Sequence, residues 1–202
     1  MTLVTNAMDT SSEAGAADGR RARGLESRRR IVMALIELIR EGKIAPTAEE
    51  VSMRAKVGLR TVFRHFDDME TLYREIDNEF QAIVLSWSHE QYEQGDWQDR
   101  LIETVKARGR LYESVKPFFL SGQVHRHESV VIDSSIRRHI ELERASLKKI
   151  LPKELLADKP LVEALILLLS PNSWFRLRRD QDLSFSATVA TLQLAAKALL
   201  SR

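Results

Sequence analysis

The strongest constraint on the fold is a repeating period. Ile31, Val32, Leu35, Ile36, Leu38 and Ile39 recur at helical spacing, while Arg28, Arg29, Arg30, Glu37 and Arg40 take the other side. The same spacing returns in Leu72, Ile76, Phe80, Ile83, Val84 and Trp87. No stretch alternates with the period of two that a half-buried strand requires, and no Asn-Gly pair marks a hairpin. The fold expected is therefore all-α.

Local signals divide the chain further. A helix is predicted from near Glu26 until Gly42 stops it. Thr47, with Glu50 three residues on, forms a capping box for a short second helix, and Pro46 restrains the chain before it. Gly58 suits the N-cap of a third helix running from about Leu59 to Phe66, and it allows another backbone to come close. Asp67, Asp68 and Glu70 cap a fourth. Two short, tightly joined helices after a longer one outline a helix-turn-helix. Beyond it, helices are predicted over about 97–116, stopping at Pro117, and over 129–150, with "FFLSGQVHRHES" as an irregular connection. The last two are predicted at 155–179 and 184–201. The organisation expected is a disordered tail at 1–24, a head at 25–72 and a helical body at 73–202.

Charge is distributed unevenly. Residues 20–66 hold twelve Lys and Arg against five Asp and Glu, although the whole chain nets only +2. A basic end on a near-neutral body suggests a polyanionic partner there, with ordinary surface charge as the alternative. The absence of cysteine excludes a disulfide framework, a thiolate zinc site and a cysteine nucleophile. The longest apolar run, "ALILLLS" at 164–170, falls well short of the roughly 20 residues that cross a bilayer. The start of the chain lacks the pattern of a signal peptide. A cytoplasmic protein without membrane contact is expected.

The stretch "TAEEVSMRAKVGLRTVFRHF" at 47–66 concentrates these signals. At 100° per residue, Leu59, Val62 and Phe66 share one face of the third helix, and Arg60 and Arg64 share the opposite one. Thr61 and Phe63 flank the arginines, and His65 borders the buried side. A solvated helix usually mixes charge signs to gain i,i+4 pairs, yet no acid occurs between Val51 and Phe66. Guanidinium forks match phosphate oxygens and the O6/N7 edge of guanine, and a helix fits the major groove.

This stretch, with "METL" after it, resembles the DNA-binding region of TetR-type transcriptional regulators. Their pattern is roughly T-x-x-x-[IV]-A-x-x-A-G-V-S-x-x-T-[LVI]-Y-x-H-F-x-x-K-x-x-L. "LILLLSPNSWFRLRRDQDLSFSATVATLQLAAKALL" is similar to that family's last two helices, which build a four-helix dimer interface. Residues 90–155 match only in helical character. The resemblance implies a homodimer on double-stranded DNA with a palindromic operator, acting as a ligand-responsive repressor. A ligand-independent, architectural or constitutive DNA-binding protein is the alternative.

Carried over residue by residue, the resemblance puts Leu59, Arg60 and Thr61 at base edges, and Thr47, Arg64 and His65 at phosphate and sugar. Arg28, Gly58 and Phe63 complete the candidate DNA-binding set. The chain departs from the pattern at several of these positions. Phe63 replaces a phosphate-binding Tyr and Met69 a phosphate-binding Lys. Lys56 replaces the turn Gly, Ser52 a small Ala and Gly58 the capping Ser. Fewer phosphate contacts would flatten the salt dependence of binding; Arg28–Arg30 and the "RRAR" segment at 20–23 are candidates to compensate.

The resemblance also implies a small-molecule effector held within the body. Trp87, Trp97, Tyr112, Phe118, Phe119 and Trp174, together with Phe175, are candidates to line its pocket, with plain core as the alternative. His125 and His127 raise a metal reading, but a zinc site needs three or four ligands, and they are taken instead as surface or pocket-lining residues. The chain contains no H-E-x-x-H, G-x-S-x-G, phosphate loop, G-x-G-x-x-G or Glu-x-x-His. Neither enzyme activity nor a cofactor is expected.

Overall fold

The computed structural model describes residues 10–66, 69–88 and 95–201. For 10–18, 20, 69, 79, 82, 83 and 85–88 it describes backbone only. The regular structure of the described residues is all helical, joined by short turns, with no strand among them. No described helix is long and apolar enough to cross a membrane. The chain divides into two units, 1–76 and 77–202.

The first unit holds α1 (Thr10–Arg40), α2 (Ala48–Ala55), α3 (Leu59–His65) and the start of α4 (Met69–Ser88). The predicted stripe of α1 is its buried face: Ile31 and Leu35 are fully covered, as are Val51 of α2 and Leu72 of α4. α1 packs against both α2 and α3. It ends where Gly42 turns left-handed at φ 92°, so that Lys43 N–H reaches the Leu38 carbonyl at 3.0 Å and Gly42 N–H reaches that of Ile39 at 2.9 Å.

α1 begins at Thr10, well before the start predicted near Glu26, and it includes the described part of the predicted tail. That segment has almost nothing to bury, but Ala, Arg and Glu are strong helix formers.

The capping box of α2 forms as predicted: Thr47 Oγ1 accepts from Glu50 N–H at 3.3 Å, and the Glu50 carboxylate accepts from Thr47 N–H at 3.0 Å. α2 ends on Lys56, which adopts left-handed φ 53°, ψ 47° where the resemblance expects Gly. The turn then closes by Val57 N–H to the Ser52 carbonyl at 3.1 Å. Asp67 and Asp68, the predicted cap of α4, lie outside the described residues.

The second unit holds the rest of α4, then α5 (Trp97–His125), α6 (Val130–Ile150), α7 (Lys153–Ala157), α8 (Lys159–Leu168), α9 (Pro171–Phe175), a π-helical turn (Arg176–Asp180) and α10 (Phe185–Leu200). Leu101 and Val105 of α5, Leu147 of α6, Leu165 of α8, Trp174 of α9 and Leu192 of α10 meet in one core.

Two sequence expectations are corrected in this unit. α5 does not stop at Pro117 but runs through it to His125, so most of the predicted irregular connection is helix. An interior proline costs about 3 kcal/mol; the turns on either side hold the helix by burying Val115 and Ser121. The helix predicted over 155–179 is instead four pieces. Asp158 caps α8 with Pro160 in its first turn, and Ser170 caps α9 with Pro171 at its start. Each proline begins a helix because its missing N–H would have no partner in a first turn anyway.

Candidate nucleic-acid interface

α3 is anchored by what it buries. Val62 and Phe66 are each only 2% exposed, and Leu59 is half-buried beside them. The opposite face of the helix carries Arg60, Phe63 and Arg64, all exposed, with Thr61 and His65 half-buried at its margins. Gly58 precedes it with no side chain to cap, and its carbonyl accepts from Thr61 N–H at 2.7 Å.

The cations of this unit fall into two groups. Arg54 grips both carboxylate oxygens of Glu41, at 2.8 and 2.6 Å, and Lys43 pairs with Glu50. Among the described residues, Arg60, Arg64 and the exposed Lys56 have no acidic partner. The cations around α3 thus stay unpaired, whereas Arg54 and Lys43 are neutralised within the unit.

Arg28 belongs with the neutralised cations. Its Nη2 donates to Glu75 at 2.5 Å, its Nη1 lies 3.5 Å from the His65 carbonyl oxygen, and its guanidinium sits 4.9 Å from the Phe66 ring centroid. It thus ties α1 to the end of α3 and to α4. Proposed from sequence as a DNA contact, Arg28 is engaged within this unit by Glu75, the His65 carbonyl and the Phe66 ring. His65 lies in the same corner. Burial, then the nearby Arg64 and Arg28 charges, hold its imidazole below the ordinary histidine value. Thr47 is exposed, with its hydroxyl oxygen committed to the capping box.

Lys56 was read from sequence only as a departure from a pattern. The structure adds it to the unpaired cations, on the turn between α2 and α3. The absence of acids along 51–66 was the available signal.

The aromatic candidates of the body separate as well. Tyr112 and Trp174 are inside the core. Tyr112 donates from its hydroxyl to the Leu169 carbonyl at 2.7 Å, closing the C-terminus of α8. Trp174 donates from Nε1 to Glu113 at 3.0 Å. Trp97 and Phe119 pack partly buried against that core, and Phe119 meets Phe175 at 4.9 Å between ring centroids. Phe118 faces Phe80 at 6.0 Å. The Trp87 side chain lies outside the described residues. Among the described residues, no group of three His, Asp or Glu is placed to hold a metal around His125 and His127 or elsewhere.

No protein-family model matches the chain, and no curated protein matches it. Among solved structures, it is similar to the crystal structure of a putative transcriptional regulator from Streptomyces coelicolor A3(2). The two share 18% identity and superpose with a TM-score of 0.60, over 85% of this chain and 98% of that one. At that identity the likeness establishes a shared all-α fold.

Proposed function

We propose that the chain is a homodimeric, sequence-specific DNA-binding regulator of transcription, acting as a ligand-responsive repressor of the TetR type. The observation that carries this reading is the pairing pattern of the first unit. Arg60, Arg64 and Lys56 stay free of acids around a short exposed helix, while Arg28, Arg54 and Lys43 are held by Glu75, Glu41 and Glu50. A guanidinium at Arg60 suits a guanine edge, Thr61 offers its methyl to thymine, and Arg64 suits phosphate. Similarity of fold to a regulator is consistent with it.

Dimerisation is supported by unburied apolar side chains on the last helices. Leu167 of α8 is 68% exposed and Leu194 of α10 is 70% exposed. Ala190, Thr191 and Ala198 share the exposed face of α10 with Leu194. A second copy covering this face would give a two-fold pair whose α3 helices meet half-sites one turn of DNA, or a multiple of it, apart.

Selection of bound duplexes from a random DNA pool at about 150 mM salt, where non-specific binding is weak, tests the reading. Enrichment of an inverted repeat is expected; a soluble, helical protein that enriches nothing would overturn it. The ligand-independent alternative draws on the burial of Tyr112 and Trp174, which fill the body with its own side chains. A compound screen by thermal shift separates the two, since a ligand of the folded state raises its melting temperature.

A further inference from the structure

We infer that the N-terminal extension of α1 is a second, helical DNA contact that grips phosphate beside the end of α3. The inference rests on the proposed DNA-binding function and adds to it a surface that α3 does not contain.

Register carries the argument. α1 is continuous from Thr10 to Arg40, so its earlier turns are in fixed phase with the turns that pack the core. Gly24 lies against His65: a Cβ at 24 would come 3.7 Å from the imidazole Cε1. One turn further on, Arg28 approaches the His65 carbonyl. These two contacts seat the Gly24–Arg28 face of α1 on the C-terminal end of α3.

At 100° per residue, Arg21 shares that face with Gly24 and Arg28. It lies about one helical turn, roughly 5 Å, further toward the N-terminus. Its guanidinium therefore projects past His65, next to the end of α3 that carries Arg64. Arg23, two residues on, lies about 160° round the helix from it, away from the face seated on α3, and both side chains are exposed. Among the described residues neither has an ion-pair partner. The sequence turns acidic immediately before, at Asp18, which confines the cationic surface to this turn.

A helical arm in phase with α3 differs from a loose basic tail in a measurable way. One phosphate neutralised per protomer steepens the dependence of log K on log salt by about one unit. Because this contact is to backbone, the increment holds for any duplex, and base preference is untouched.

The test measures affinity across about 50 to 200 mM salt for the full chain on a random-sequence duplex and on the selected operator. Arg21→Ala keeps helix propensity and is expected to flatten the slope by about one unit per protomer on both duplexes, whereas Arg23→Ala leaves it unchanged. Gly24→Pro keeps the Arg21 charge but breaks its phase with α3, and the same flattening is expected. An unchanged slope in Arg21→Ala would remove the arm from the DNA. A Gly24→Pro protein with the wild-type slope would show that charge alone, not helical register, matters, and would also overturn the inference. Should α3 read no sequence, the pool enriches nothing, but the random-duplex slopes still decide the role of Arg21.

Discussion

The backbone of Gly109 lies directly beneath the indole of Trp174: a Cβ at position 109 would sit 2.4 Å from Cη2. α5 and α9 come this close because α5 has no side chain there. Trp174 is fully buried as a result, and it reaches Glu113 one turn along α5. Alanine in place of an interior helical glycine ordinarily stabilises by roughly 0.5–1 kcal/mol. Here the clash falls on a rigid ring. Gly109→Ala is expected to destabilise the second unit by about 1–3 kcal/mol, as overpacked cores do, read as a lower urea midpoint.

Arg28 and Glu75 provide a test of position against contact. Both side chains are more than a third exposed, so the ion pair is worth only about 0.2–1 kcal/mol, and the Phe66 ring adds about 0.5–1 kcal/mol. Arg28→Ala should lower stability by the sum of these. Glu75→Gln should lose only the first part. A double-mutant cycle should return the coupling; two effects that simply add would show that the pair does not interact.

Arg60 and Arg64 should fail differently. Arg60→Ala is expected to cost about 1–3 kcal/mol and to relax preference at one base pair. Arg64→Ala should weaken every duplex alike and flatten the salt slope by about one unit. Binding profiles on a panel of single-base operator variants distinguish the two, and identical profiles would remove the division of roles.

Lys56 sets stability against charge. Its left-handed conformation costs a non-glycine residue roughly 1–2 kcal/mol, against roughly 0.5–1 kcal/mol of chain entropy for glycine. Lys56→Gly should therefore raise the melting temperature of the first unit. The same variant should bind DNA more weakly, because an unpaired cation is lost.

His139 predicts an acid-sensitive second unit. Its Nδ1 lies 2.8 Å from the Ser135 carbonyl and its ring 5.0 Å from that of Phe80; Nε2 is buried without a partner among the described residues. Burial lowers its affinity for a proton, and Arg138 adds to this; the Ser135 carbonyl and Asp77 oppose them without prevailing. The unfolded imidazole titrates near 6.5 and the folded one lower, so stability is fully present above about pH 6.5 and is lost as pH falls below it. His139→Leu should flatten that limb in denaturation measured across pH. Asp77 acts in a separate, more acidic window. Burial alone would raise its carboxyl, but hydrogen bonds from Ser135, Arg138 and Gln81 hold it below the usual carboxylate range.

Neighbouring residues along the chain determined the helical class, the buried stripe of Ile31 and Leu35, the capping box of Thr47 and Glu50, and the outward facing of Arg60 and Arg64. Each depends on a period of 3.6 or a hydrogen bond spanning three or four residues, and both can be read from short windows. Tertiary structure decided the rest. Whether Arg28 reached Glu75, whether Pro117 broke α5, and whether Trp174 came to lie on Gly109 were not determined locally. A guanidinium, a proline or an indole takes its role from whichever distant group packing brings within a few ångströms, and no local period encodes that distance.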